Sequence, residues 1–153
     1  MLYQDYLKQA KTVKMSAHYT LYDVCYSQTA VNKGLDNTPQ PQDIINARLV
    51  VNNILEACCN HFKTRPDVNR IFSTLEVNKE LGGAQNPVSQ HCYGQAVDFV
   101  IVDVPLIIII DFIRNNLNFD QLILESTWIH CSYKNSGNRK QVLKNVNGKY
   151  IAI

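Results

Sequence analysis

The sequence offers little to a nucleic acid, a membrane or an oxidising compartment. Fifteen Lys and Arg against thirteen Asp and Glu leave a formal net charge of +2, too small a field to argue for a polyanion partner. The run Leu106-Ile107-Ile108-Ile109-Ile110 is far too short to span a bilayer, so stable membrane insertion is not expected. Met1 to Met15 carries Lys8, Lys11 and Lys14 but no apolar stretch of seven or more residues, which excludes a secretory signal. The five cysteines are an odd number, and their spacing forms no disulfide framework. Cys58 and Cys59 are adjacent and cannot pair without strain. Reduced thiols and synthesis in a reducing compartment follow. No internal repeat, linker or low-complexity segment is present, and only four histidines occur.

Enough apolar material is there to fold. Hydrophobic residues make up 46% and charged ones 18% of 153 residues, which gives one globular domain with its own core rather than a disordered chain. Leu2, Tyr3, Tyr6, Leu7 and Ala10 allow one amphipathic helix in an appended N-terminal segment, residues 1–15. Its apolar face is short for a membrane-surface helix. The domain proper spans 16–153. His18 to Leu21 reads as a short strand or extended entry. Ser27 to Asn32 reads as a brief helix, and Gly34 to Pro41 as a loop. Asp43 to Phe62 carries helical spacing at Ile44, Ala47, Val51, Ile54, Leu55 and Cys58, with Pro41 before the first turn. Asn69 to Ser73 reads as a strand, and Asn78 to Leu81 as a short helix closed by Gly82-Gly83. Pro105 to Asn115 is ambiguous by residue type, since its isoleucines favour strand while Pro105 and the Asp111-Phe112-Ile113-Arg114 continuation favour a buried helix. Gln121 to Glu125 and Trp128 to Tyr133 form a hairpin, and Lys149 to Ile153 a last strand. His18 and His61 have no partner in the sequence and read as surface residues.

Two segments concentrate the chemistry. Ser89-Gln90-His91-Cys92-Tyr93-Gly94-Gln95-Ala96-Val97-Asp98 runs into the apolar strand Phe99-Val100-Ile101-Val102. About thirty residues on comes Glu125-Ser126-Thr127-Trp128-Ile129-His130. Alternation places Val97, Phe99 and Ile101 on one face and Ala96, Asp98 and Val100 on the other. An acid among strand formers is costly to bury unless it is paired or binds a metal. His130 meets Asp98 if the two strands are near neighbours. His91, Asp98 and His130 are then a ligand set of the kind a catalytic zinc uses, with a fourth position left for water. Taken singly, each of these residues reads more readily as an ordinary hydrogen-bonded histidine or turn aspartate, and it is the joint pattern that points to a metal. Cys131 falls opposite His130 and belongs to the core, whereas the side of Cys92 stays open.

This pattern resembles the zinc-dependent D-Ala-D-Ala carboxypeptidase and L-alanyl-D-glutamate endopeptidase family. These murein peptidases include many phage endolysins and share a fold with the zinc domain of hedgehog proteins. The resemblance extends from about His18 to the end. It takes in Tyr19-Thr20-Leu21, Ser27-x-Thr29-Ala30, Asn37-Thr38-Pro39, Asn78-x-x-x-Gly82-Gly83, Phe119-Asp120-Gln121-Leu122-Ile123 and Asn138-Arg139. It implies a single α+β domain with a central mixed or antiparallel sheet flanked by helices, one of them over Pro105 to Asn115. It implies Zn2+ on His91, Asp98 and His130, and a peptidoglycan stem peptide as substrate. Ser89, Gln121, Trp128 and Arg139 are its substrate-side candidates.

Glu125 is the candidate catalytic carboxylate. Many relatives carry the base three residues before the second His, where this chain has Thr127; a turn at Ser126-Thr127 brings Glu125 round instead. A second departure is the lack of an arginine in Phe72-Ser73-Thr74-Leu75-Glu76-Val77-Asn78, where relatives carry one that helps hold the substrate or the developing oxyanion. Arg70 and Arg139 are the available substitutes. The expectation is a zinc metallopeptidase, with a zinc-bearing domain of weak or no turnover that binds cell wall or a protein partner as the alternative. Without a secretory signal, it fits a phage-type enzyme made in the cytoplasm and released later or carried on a particle.

Overall fold

Pro41 opens the main helix, as its fixed φ suits a first helical position. Its first turn is closed by the Gln40 N–H donating to Asp43 Oδ2 at 2.9 Å. In the computed structural model, which describes residues 1–153, helix continues from there through α4 (Pro41–Val50), a π-helical turn (Val51–Leu55) and α5 (Glu56–Phe62). The helical spacing was legible, but the π turn was not. It lets Val51, Ile54 and Leu55 all lie fully buried within one continuous helix. Before it stand α1 (Tyr3–Ala10), α2 (Leu21–Cys25) and α3 (Gln28–Lys33); after it come β1 (Asp67–Arg70) and α6 (Leu75–Glu80). The rest is a 3-10 turn (Gln90–Tyr93), β2 (Ala96–Val100), α7 (Leu106–Asn116), β3 (Gln121–Leu124), β4 (Ile129–Ser132), β5 (Gln141–Val146) and β6 (Lys149–Ala152).

The strands form one sheet in the order β1-β2-β4-β3-β5-β6. Every neighbouring pair is antiparallel except β3 with β5. The fold is therefore α+β with a six-stranded mixed sheet. One face of the sheet packs on helices: Val97, Phe99, Ile101, Leu122, Ile129 and Cys131 share a core with residues of α4, α5 and α7. α7 settles the ambiguous isoleucine run as helix. Ile109, Ile110 and Ile113 are buried, while Ile107 and Ile108 are each 48% exposed, a one-sided helix rather than a fully buried one. No helix is long and apolar enough to cross a membrane.

Several local expectations need correction. Leu21 begins a helix, not a strand, because Asp23 accepts from the Thr20 backbone at 2.7 Å and caps it. β1 sits two residues earlier than its apolar letters suggest, since Ile71 and Phe72 leave the sheet to enter the core. β5 was not foreseen. Residues 1–15 join the common core through Leu7, Ala10 and Met15, and the Tyr3 hydroxyl donates to the Cys25 carbonyl at 2.6 Å. All five cysteines are free, and only Cys92 is not fully buried. Burial pushes the Cys25 and Cys58 thiols up to about 12, so they act as packing groups.

A buried carboxylate anchors the distal part of the sheet. Asp120 is inaccessible to solvent. It accepts from Arg139 Nη2 at 2.6 Å, Arg139 Nε at 3.0 Å, the Arg139 backbone at 3.1 Å and Gln90 Nε2 at 3.1 Å. Lys134 Nζ lies 3.2 Å away. Burial alone would raise its pKa; the Arg139 and Lys134 contacts reverse this and hold the carboxyl well below its usual range. That stabilisation is complete above the unfolded-chain pKa of about 3.9 and is lost as pH falls through the depressed folded value. Asp120→Asn should lower stability by roughly 2 kcal/mol, read as a fall in Tm of roughly 6 °C. It should also remove part of the wild-type loss of stability below about pH 4. A calorimetric pH series of both proteins checks this.

Candidate metal centre

The sheet register lines up the polar residues that the sequence scatters. Asp98 on β2 stands directly opposite His130 on β4, and His130 stands opposite Ile123 on β3. On the other side of Asp98 the register slips: Val68 pairs with Phe99, but Arg70 pairs with Asp98. One extra residue in β1 bulges there and turns Arg70 toward the polar face. Arg70, Asp98 and His130 thus form a row across three strands.

His91 reaches the row from the 3-10 turn before β2. Three contacts place this turn. The Ser89 hydroxyl accepts from the His91 N–H at 3.3 Å, the Ser73 N–H donates to the His91 carbonyl at 3.2 Å, and Asn46 Nδ2 donates to the Tyr93 carbonyl at 2.9 Å. Gly94 ends the turn at φ +66, hard against the start of α4, where an added Cβ would collide with the Asp43 carbonyl.

The two imidazoles converge on one carboxylate oxygen. His130 Nδ1 lies 2.9 Å from Asp98 Oδ1, and His91 Nε2 lies 3.2 Å from the same atom. His91 Nδ1 is 2.9 Å from the Ile71 carbonyl, which fixes that nitrogen as the N–H and leaves the Nε2 lone pair facing the cluster. Nε2 is fully buried yet, despite its distance from Asp98, makes no hydrogen bond of acceptable geometry. A buried orphan nitrogen beside a carboxylate and a second imidazole fits a cation site. Burial lowers the His91 pKa against the upward pull of Asp98, so the ring stays neutral and ligand-ready. Burial also opposes ionisation of Asp98, yet its carboxyl is held well below the usual carboxylate range, with His130 Nδ1–H as the donor on Oδ1. One donor atom each from His91, Asp98 and His130 lies within 4.8 Å of the others. Two imidazoles and a carboxylate suit zinc.

A second group, His18, Glu56 and Cys59, has the same spacing but different chemistry. Glu56 Oε1 already accepts from the Ser16 hydroxyl and the His18 N–H, and Oε2 lies 2.8 Å from His18 Nδ1. Burial pushes the Cys59 thiol up. This is a hydrogen-bonded tie between the entry to the domain, Ser16 to His18, and α5. His18 is therefore exposed but partnered, and so is His61, whose ring stacks on Phe112 at 3.9 Å.

The remaining candidates divide. Glu125 is buried, while Ser126 and Thr127 form the exposed turn beyond it. Its N–H donates to the Trp128 carbonyl at 3.1 Å. Strand alternation puts it on the same face as Ile123 and hence as His130, one step along the sheet. Trp128 lines a cleft of about 470 Å³ with Arg70, Ser73, Tyr26 and Asp98. Arg70 approaches Asp98 Oδ2 at 3.5 Å, too long to immobilise it. The buried Ser73 hydroxyl lacks a partner. Arg139 does not reach this cleft, being held on Asp120. Ser89 caps the His91 turn, and Gln121 Nε2 donates to Gln141 Oε1 at 2.8 Å; neither lines the cleft. Cys92 is raised by burial and stands outside the ligand group.

The sequence model of the family described as Peptidase M15 matches residues 17–132. That span begins after α1, contains His91, Asp98, Glu125 and His130, and stops before β5. No curated protein matches the chain.

After zinc loading and gel filtration, a single zinc per chain is expected by plasma mass spectrometry, and Asp98→Ala or His91→Ala should lose nearly all of it. Full zinc retention in Asp98→Ala, with loss in Cys59→Ala, would move the metal to the second group.

Proposed function

The chain belongs to the Peptidase M15 family, and on that premise we propose a zinc-dependent peptidase that cuts a D-Ala-D-Ala or L-Ala-D-Glu type bond in peptidoglycan stem peptides. The observation carrying the zinc reading is the convergence of His91 Nε2 and His130 Nδ1 on Asp98 Oδ1. Zinc held by His91, Asp98 and His130 would supply Lewis acidity, to polarise a scissile carbonyl and to make water nucleophilic near neutral pH. The peptidoglycan substrate rests on the sequence resemblance around Ser89–Asp98 and Trp128–His130.

The chain's own groups divide the work. His91, locked by the Ile71 carbonyl, and His130, set against Asp98, are pre-aimed, so little reorganisation precedes binding. The Glu125 carboxylate takes a proton from the attacking water and returns it to the leaving amine, the role of a general base turned acid. Arg70 is the cation nearest the reacting face, through its pairing with Asp98. Its loosely held guanidinium is placed to stabilise negative charge on the substrate, a role that relatives give to an arginine elsewhere. Trp128 supplies an apolar wall to the cleft.

Mass spectrometry of purified muropeptides tests the reading. The expected result is a chelator-sensitive mass loss that names the bond. Glu125→Gln should slow it on the order of a hundredfold or more, and Arg70→Ala by about a hundredfold, both with zinc retained. No cleavage by zinc-loaded wild type would leave the alternative, a zinc-bearing binding domain, as the better reading.

A further inference from the structure

The hairpin that closes the sheet, β5 with β6, lies outside the span matched by the family. Its register bears on the catalytic carboxylate. The parallel pairing of β3 with β5 runs from Gln121 opposite Gln141 to Leu124 opposite Lys144, so Asn145 comes level with Glu125. Across the hairpin, Asn145 pairs with Tyr150. Asn145, Tyr150 and Glu125 therefore sit side by side on the polar face.

Each Glu125 oxygen has its own donor there. Asn145 Nδ2 donates to Oε2 at 2.7 Å, and the Tyr150 hydroxyl approaches Oε1 at 3.4 Å. The hairpin turn orients the amide. Asn147 and Gly148 take the left-handed conformations that a tight hairpin requires, and the Gly148 N–H donates to Asn145 Oδ1 at 2.9 Å. With its oxygen engaged, Asn145 presents only its NH₂ to Glu125. Burial and the Glu125 charge push Tyr150 up, so the phenol remains a donor at neutral pH. No Lys, Arg or His forms an ion pair with Glu125, although it is only 9% exposed. Asn145 fixes the carboxylate's direction and Tyr150 flanks its other oxygen at longer reach, and both, being neutral, leave it lone pairs for a proton.

We propose that Asn145 and Tyr150 are positioning residues for catalysis: the β5–β6 hairpin completes the active site by holding Glu125, with Asn145 the firm donor to Oε2 and Tyr150 the looser one at Oε1. The proposal rests on Glu125 being the base of the proposed peptidase, and the experiment separates the two. On the muropeptide substrate, kcat and KM are measured for wild type, Asn145→Ala, Tyr150→Phe, Glu125→Gln and each hairpin variant combined with Glu125→Gln, together with zinc content and Tm.

Asn145→Ala should lower kcat roughly tenfold with KM nearly unchanged, the sign of a lost transition-state contribution. Tyr150→Phe, which removes one oxygen and keeps the ring, should lower it less. Zinc content should not move. In the Glu125→Gln background each hairpin substitution should change kcat by less than about twofold, since a residue acting through Glu125 has nothing left to act on. Equal losses in both backgrounds would mean a purely structural role and overturn the proposal, as would unchanged kcat in both single variants. Wild-type kcat in Glu125→Gln would instead overturn the base assignment. Crystal structures of wild type and Asn145→Ala supply a readout without turnover: the Glu125 carboxylate should leave its position in the variant, and an unmoved carboxylate would also sink the proposal.

Discussion

A single carboxylate oxygen organises this molecule. Asp98 Oδ1 receives two imidazoles while its partner oxygen faces a guanidinium. The side chain that carries both is nearly buried. A buried charge of this kind is tolerated only when its surroundings compensate it, and here they come from three strands and a turn. The antiparallel β2–β4 register, the β1 bulge and the 3-10 turn therefore have to be right together. The core on the opposite face fixes the register, because a slip of one residue would turn Val97 and Phe99 out of it.

The polar motifs of the sequence are mostly brackets around that oxygen. Asn37 donates to the Cys25 and Phe72 carbonyls and accepts from the Thr74 N–H. It thereby binds α2 and the loop before α4 to the segment leading into α6. Asn78 donates to the Ala84 carbonyl, and Gly83 lies so close that any Cβ would strike the Asn78 amide. Asp120 holds Gln90 on one side and Arg139 on the other. Each replaces water for buried backbone or charge, and together they hold the His91 turn and the start of β3 in place.

The sequence showed the parts governed by short periods. Alternation in β2 and β4 separated Asp98 and His130 from their core neighbours, and helical spacing gave the long helix, whereas the isoleucine run of α7 stayed ambiguous by residue type. What it hid depends on contacts between distant segments. Nothing in Val68-Asn69-Arg70 marks a bulge until β2 lies beside it. Leu21 looks like a strand residue until Asp23 caps a helix there. Arg139, near the chain's end, looked available for substrate until Asp120 proved to hold it. Asn147-Gly148 is a hairpin signal by itself, but the strand before it, Gln141 to Val146, mixes polar and apolar residues without clean alternation. Its pairing with β3, rather than its own pattern, makes it a strand.

The bulge in β1 also bears on how such a site changes over generations. In a strand, substitution alters a side chain where it stands, whereas gain or loss of one residue exchanges the faces of everything beyond it. A bulge absorbs that change. Removing the codon for Asn69 would make Val68 and Arg70 neighbours on opposite faces, so the strand would run regularly with the Arg70 guanidinium still beside Asp98. Single-codon insertions and deletions at this point of the edge strand thus offer lineages a change of length that leaves the cleft's positive charge, and the histidines and aspartate beside it, in place.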